Sequence, residues 1–182
     1  MMTTSADPHL VRRAAQGDRA AAATLLADVR PGVIRYCRAR LGRTDDTYAP
    51  ADACADEICL AVLRALPRLG PGVPFAAFVH GIALRLVTDA QPPSRGCVAE
   101  PPVDGSPHRT VVADLTRRPS GLLGLLSEAQ REILVLRVAV GLTAEQVGAA
   151  LGISAAAVRI GQSRALARLR TLPGNALGEV AA

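Results

Sequence analysis

The chain has 182 residues, a formal net charge of +5 and a pI near 9.7. At 49% hydrophobic and 20% charged residues it carries enough apolar side chains to fold, which excludes a disordered chain. No apolar run approaches the roughly 20 residues of a membrane span, and all the basic residues are arginines, a balance that favours a polyanionic partner without proving one.

Met1 to His9 is polar, with Arg12 and Arg13 inside a helical pattern, so no signal peptide is expected and the chain reads as soluble and cytoplasmic. From Pro8 to Leu41 the apolar residues recur with helical period, interrupted at Arg30-Pro31-Gly32. A Gly/Asp-rich turn covers Gly42 to Pro50. Ala51 to Leu66 is a second strong helix, with Asp52, Asp56 and Glu57 near its start, where the helix dipole favours negative charge. A loop from Pro67 to Pro74 leads to a third helix, Phe75 to Ala90, stopped by Pro92-Pro93. Between Gln91 and Pro119 six prolines and no sustained periodicity mark a linker. Helical pattern resumes near Ser120 and ends near Arg170. There is no strand pattern and no internal repeat.

The richest local signal lies in the last third. Thr143 and Gln146 have the spacing of a capping box, Val147 and Leu151 share one face, and Gly148 is small enough for a second helix to cross closely. Gly152 suits a turn with positive φ, and Ser154 suits the N-cap of the next helix. Ile153 and Val158 are expected to point into a small core, with Leu166 and Leu169 continuing the stripe. Ala155, Ala156, Arg159, Gln162 and Ser163 are left on the outer face. This is the pattern of a helix-turn-helix, whose second helix enters the DNA major groove. Arg159 and Gln162 suit base-edge or phosphate contacts, and Arg164, Arg168 and Arg170 suit phosphates. A plain helical hairpin with a solvated basic face is the alternative for this pair alone.

Other chemistry is thinly represented. Cys37, Cys54, Cys59 and Cys97 form no Cys-x-x-Cys pair, and the first three sit in apolar helical surroundings, as buried free thiols do. His9, His80 and His108 make no ligand pair, so no metal or cofactor is expected. With no glycine-rich phosphate loop and no nucleophile beside a base, an enzyme is not expected either.

The order of these pieces resembles the extracytoplasmic-function group of bacterial sigma-70-type initiation factors. Leu10 to Arg19 with Arg30 to Gly42 is similar to the opening helices of that family's first domain. Asp52 to Leu60 is similar to its polymerase-binding helix, Phe75 to Ala83 with Asp89 to its promoter-melting helix, and Glu128 to Arg137 plus the helix-turn-helix to its last domain. The runs Arg35 to Arg40 and Val158 to Gln162 look closest to the actinobacterial sigma-D-like subgroup. The resemblance covers most of residues 10–90 and 120–170.

It implies an all-α protein of two small helical domains joined by a flexible Pro-rich linker. Residues 8–91 would bind core polymerase and the −10 element, 92–119 would be the linker, 120–172 would read the −35 element, and 173–182 would be a tail. It implies core-polymerase contacts at Asp52, Asp56, Glu57, Leu60 and Arg64. Phe75 and Phe78, supported by His80 and Arg85, would hold unstacked −10 bases, which need flat, sequence-tolerant platforms. Ser154, Ala155, Ala156, Arg159, Gln162, Ser163, Arg164 and Arg168 would face −35 DNA. An anti-sigma factor is the expected further partner. Many relatives carry Trp where Phe78 stands, and a basic run where Ala90-Gln91-Pro92-Pro93 follows here. These departures imply weak melting, or dependence on an optimal promoter. The alternatives are a sigma-like decoy for an anti-sigma factor and a stand-alone helix-turn-helix regulator.

Overall fold

The computed structural model describes residues 7–70, 72–90 and 121–171. The linker assigned to 92–119, the tail at 173–182, and Cys97 and His108 lie outside the described residues. Within them the fold is helical, the only bridge being an isolated pair between Thr44 and Thr47.

The first half comprises α1 (Pro8–Ala15), α2 (Arg19–Leu41), α3 (Ala49–Ala65) and α4 (Phe75–Ala90), with a 3-10 turn at Leu66–Arg68. Asp7 caps α1 through the N–H of His9, and Asp18 caps α2 through the N–H of Ala21. The chain turns between them at Gly17, whose φ of 94° suits glycine.

The expected interruption at Arg30-Pro31-Gly32 is not there: α2 runs straight through Pro31. A proline inside a helix costs about 3 kcal/mol. Against this stands a continuous buried stripe of Leu25, Val29, Val33, Tyr36 and Cys37. Each large apolar side chain so buried contributes about 1.5–3 kcal/mol, so packing outweighs propensity. The carbonyl that loses its partner belongs to Ala27, an exposed residue with access to water.

The second half comprises α5 (Gly121–Gly124), α6 (Glu128–Leu134), α7 (Ala144–Leu151) and α8 (Ala155–Arg170). Ser127 and Gln130 form a capping box at the start of α6. The helix widens into a π-turn over Val135–Val140 and ends at Gly141, φ 84°. Arg137 holds that corner, donating to the Leu142 carbonyl and, at 3.0 Å, to Gln162 on α8.

The two halves pack on each other, and the buried side chains form one core that runs across both. Val29, Val33, Tyr36 and Phe75 from the first belong to it with Leu136, Leu142, Ala144 and Val147 from the second. A smaller cluster of Leu126, Leu134 and Ala165, joined by Leu166 and Leu169, seals the base of α8. No helix among the described residues is long and apolar enough to cross a membrane.

Candidate polymerase and nucleic-acid interfaces

The acidic helix α3 buries Ala51, Cys54, Ala55, Ile58 and Val62 and turns its other face outward. On that outer face Asp56, Glu57, Leu60 and Arg64 are exposed, with Leu60 at 52%. Their spacing places them on one stripe of successive turns. Asp52 sits at the edge, half-buried and gripped by both arms of the Arg38 fork at 2.7 Å. That hydrogen bonding holds the Asp52 carboxyl below its ordinary range. Asp56 meets Arg30 at 2.8 Å. The acidic turn is therefore tethered to α2 at one edge and open at the other, where an exposed leucine stands among charges. Arg38 and Arg43 also lie over the Tyr48 ring.

Three thiols, Cys37, Cys54 and Cys59, lie behind this face, buried and outside any disulfide. Burial raises the pKa of each, so they are poor nucleophiles at neutral pH. Among the described residues no group of His, Cys, Asp or Glu could hold a metal.

Helix α4 places its four marked residues unequally. Phe75 and His80 are buried, Phe78 is half-buried, and Arg85 is exposed. The rings of Phe75 and Phe78 stack with centroids 6.3 Å apart. His80 faces the second half: its Nε2 lies 2.6 Å from Glu132 Oε1, the oxygen that also accepts from the Tyr36 hydroxyl at 2.7 Å. As placed, Phe75 and His80 cannot touch DNA.

The helix-turn-helix forms as its residues direct. Thr143 and Gln146 make the reciprocal capping box, Gly152 adopts φ 69°, and the Ser154 hydroxyl accepts from the N–H of Ala157 at 3.1 Å. Gly148 is where the two helices meet: a Cβ there would lie 2.7 Å from the Ile153 carbonyl oxygen. Ser154→Ala is expected to cost the second half about 1 kcal/mol by removing the cap, read as a lowered melting midpoint, whereas Ser154→Gly costs a few tenths.

Two assignments on the helix-turn-helix, one to the core and one to the outer face, need correction. Ile153 is 40% exposed rather than pointing into the core, because it lies in the exposed turn between Gly152 and Ser154, while Val158 is fully buried. Gln162 is half-buried and receives the hydrogen bond from Arg137, so it braces α8 against the π-turn instead of standing free on the outer face. Ser154, Ala156, Arg159, Ser163, Arg164 and Arg168 are exposed, and Ala155 is half-buried. Arg159 is paired with Glu145 on α7. Ile160, which the sequence did not single out, is 53% exposed between Arg159 and Ser163 on the same helix face.

An acidic outward stripe on α3, paired phenylalanines on α4 and an arginine-bearing helix-turn-helix occur together in this fold. Residues 122–171 match the family model for sigma-70, region 4. The chain belongs to the extracytoplasmic-function (ECF) sigma factors of RNA polymerase. It is 43% identical over 171 residues to the ECF RNA polymerase sigma factor SigD of Mycobacterium tuberculosis, covering 88% of this chain and 81% of that one. It is 46% identical over 177 residues to the ECF RNA polymerase sigma factor ShbA of Streptomyces griseus, covering 90% and 93%. Among solved structures it is similar to CnrH in complex with the cytosolic domain of CnrY, with a TM-score of 0.64, 26% identity, and coverage of 91% of this chain and 95% of that one.

Proposed function

We infer that this chain is a dissociable sigma subunit that brings core RNA polymerase to promoters and acts in the cytoplasm without chemistry of its own. Residues 8–91 and 120–172 serve as its two working units. Asp56, Glu57, Leu60 and Arg64 are the polymerase contact, with Asp52 shaping its edge. The observation that carries this assignment is the outward stripe of α3, in which an exposed leucine is set among carboxylates while the opposite face is fully packed. Burying such a leucine at an interface gives affinity, and the surrounding charges give register.

On the second unit, Arg159, Ser163, Arg164 and Arg168 face −35 DNA, and the N-terminus of α8 at Ser154 approaches a phosphate. Arg159 exchanges its Glu145 partner for DNA. Phe75, Phe78, His80 and Arg85 hold −10 DNA once α4 is uncovered. A partner of the anti-sigma kind is supported by the likeness to CnrH, which was solved bound to the cytosolic domain of another protein.

The test separates the two surfaces. Leu60→Asp is expected to lower affinity for core polymerase at least tenfold and leave the helical content unchanged. Arg159→Ala is expected to weaken binding of the holoenzyme to −35 promoter DNA about tenfold, with affinity for core unchanged, since one lost contact of this type is worth about 1–3 kcal/mol. Loss of core affinity in Arg159→Ala, or unchanged core affinity in Leu60→Asp, would sink the assignment.

A further inference from the structure

The rotation of α8 about its own axis is fixed by what it buries. Val158 and Ala165 are fully buried, and Gly161 seats against α6, where a Cβ would lie 2.6 Å from Cδ1 of Ile133. Gln162, on the same side, takes its hydrogen bond from Arg137 at 3.0 Å. At about 100° per residue, Ile160 stands opposite this buried side, roughly 160° round the helix from Val158 and roughly 140° from Ala165. Ala156, Ser163 and Ala167 share its outward stripe, and all three are exposed.

Ile160 is the one large hydrophobic of α8 that is exposed, at 53%. The fold gains nothing from it there. A β-branched residue forms helix less readily than alanine, and its short neighbours Ala156, Ser163 and Ala167 cannot cover it. Cations lie to both sides: Arg159 on the edge towards α7, where it pairs with Glu145, and Arg164 and Arg168 on the other edge. A helix with arginines along both edges fits between the two phosphate backbones that wall the major groove, its middle stripe facing the base edges. That stripe offers one short hydroxyl, on Ser163, and is otherwise apolar. Of the groups on the groove floor, the thymine C5-methyl is the one that an apolar side chain reads.

We propose that Ile160 is a specificity-determining residue, packing its side chain against the C5-methyl of a thymine in the −35 element. The inference rests on the −35 reading of α8 and deepens it: the arginines position the helix, and Ile160 selects a base pair. Cytosine in the same place would present an amino donor. Isoleucine has no acceptor for it, so the exchange loses the methyl contact and covers an unpaired donor as well.

The test uses holoenzyme assembled from the full-length chain and core polymerase, with a promoter duplex taken from a start site that it initiates. Each thymine of the −35 element, on either strand, is replaced in turn by deoxyuridine, which keeps the base pairing and lacks only the methyl. Burial of a methyl-sized group is worth about fourfold in affinity, so one such replacement is expected to weaken wild-type binding about fourfold. Ile160→Ala is expected to bind the unmodified duplex more weakly by a similar factor and to bind the two duplexes alike. Its melting midpoint should be no lower than that of the wild type, and its affinity for core unchanged. If no −35 thymine methyl matters to the wild type, the proposal is overturned; so it is if Ile160→Ala keeps the preference for thymine over deoxyuridine. Loss of core affinity in Ile160→Ala with that preference intact would overturn it in favour of a polymerase contact. A wild-type holoenzyme that never initiates, or that binds duplexes with and without a −35 element alike, would instead overturn the −35 reading of α8, and the proposal with it.

Discussion

Gly148→Val is expected to destroy −35 binding by unfolding the second half, and even Gly148→Ala should destabilise it. At an ordinary exposed helical position, replacing glycine with alanine gains up to about 1 kcal/mol in helix propensity. Here the new Cβ would lie 2.7 Å from the Ile153 carbonyl oxygen and 3.3 Å from the backbone nitrogen of Ala155. Both obstacles are main chain, so no rotamer change relieves them. Ile153 is also fixed by its own N–H bond to the Gly148 carbonyl at 3.0 Å. Overpacking of this kind costs about 1–3 kcal/mol, enough to reverse the propensity gain for alanine and more for valine. The check is thermal unfolding followed by titration of the holoenzyme with a −35 duplex. A raised melting midpoint for Gly148→Ala would show that the helices do not cross this closely.

Glu132→Ala should have an effect of similar size by a different route. Removing one member of a buried ionic group strands the others and typically costs about 3–5 kcal/mol. The Tyr36 hydroxyl would lose its acceptor and the Arg40 guanidinium one of its two carboxylate partners, losses that water cannot make good while the halves stay docked. The chain has an escape: separating the halves lets solvent reach both groups, so the loss in global stability is limited by the free energy of opening. Hydrogen exchange resolves the two outcomes, because opening exposes α4 and the π-turn while α2 and α3 stay protected.

The pH dependence follows from the same group. Burial alone would raise the Glu132 pKa, but hydrogen bonds from His80 and Tyr36 and the charge of Arg40 bring it below the ordinary carboxylate value. A depressed carboxyl stabilises the closed form above its ordinary pKa and loses that contribution as pH falls through the lowered one. Because an ionised carboxylate only accepts, the Nε2 of His80 carries the shared proton. The stability gap between wild type and Glu132→Gln is accordingly expected to be full at neutral pH and to shrink at strongly acid pH. A gap that stays constant across that range would contradict an ionised Glu132.

Much of the second half was legible because its instructions are local. The Thr143–Gln146 box, the small residue at 148, the positive-φ glycine at 152 and the cap at Ser154 each act within a few residues, so spacing alone determined them. Helix α4 was readable to its ends for the same reason. Pro31 misled because local propensity favours a break, and the apolar stripe that overrides it depends on partners in α3 and the second half. Gln162 was misplaced because nothing near it in sequence shows that Arg137 lies within reach.

The docking of the halves was the least visible feature, since it pairs Tyr36 with Glu132 and Arg35 with Ala139 across the chain. One signal was available. Tyr36 and Arg40 fall four residues apart on the stripe that Val29 and Val33 define, and a polar pair on an apolar stripe needs buried partners. The candidate site was thus readable as a set of helices, but not in which of its faces the protein keeps covered.

The most direct test is reconstituted transcription with core RNA polymerase from the same organism, with and without this protein, on that organism's genomic DNA. The account predicts new, defined start sites that share −35 and −10 elements and that disappear with Leu60→Asp. Tight binding to core without any initiation, or promoter binding that needs no polymerase at all, would contradict it.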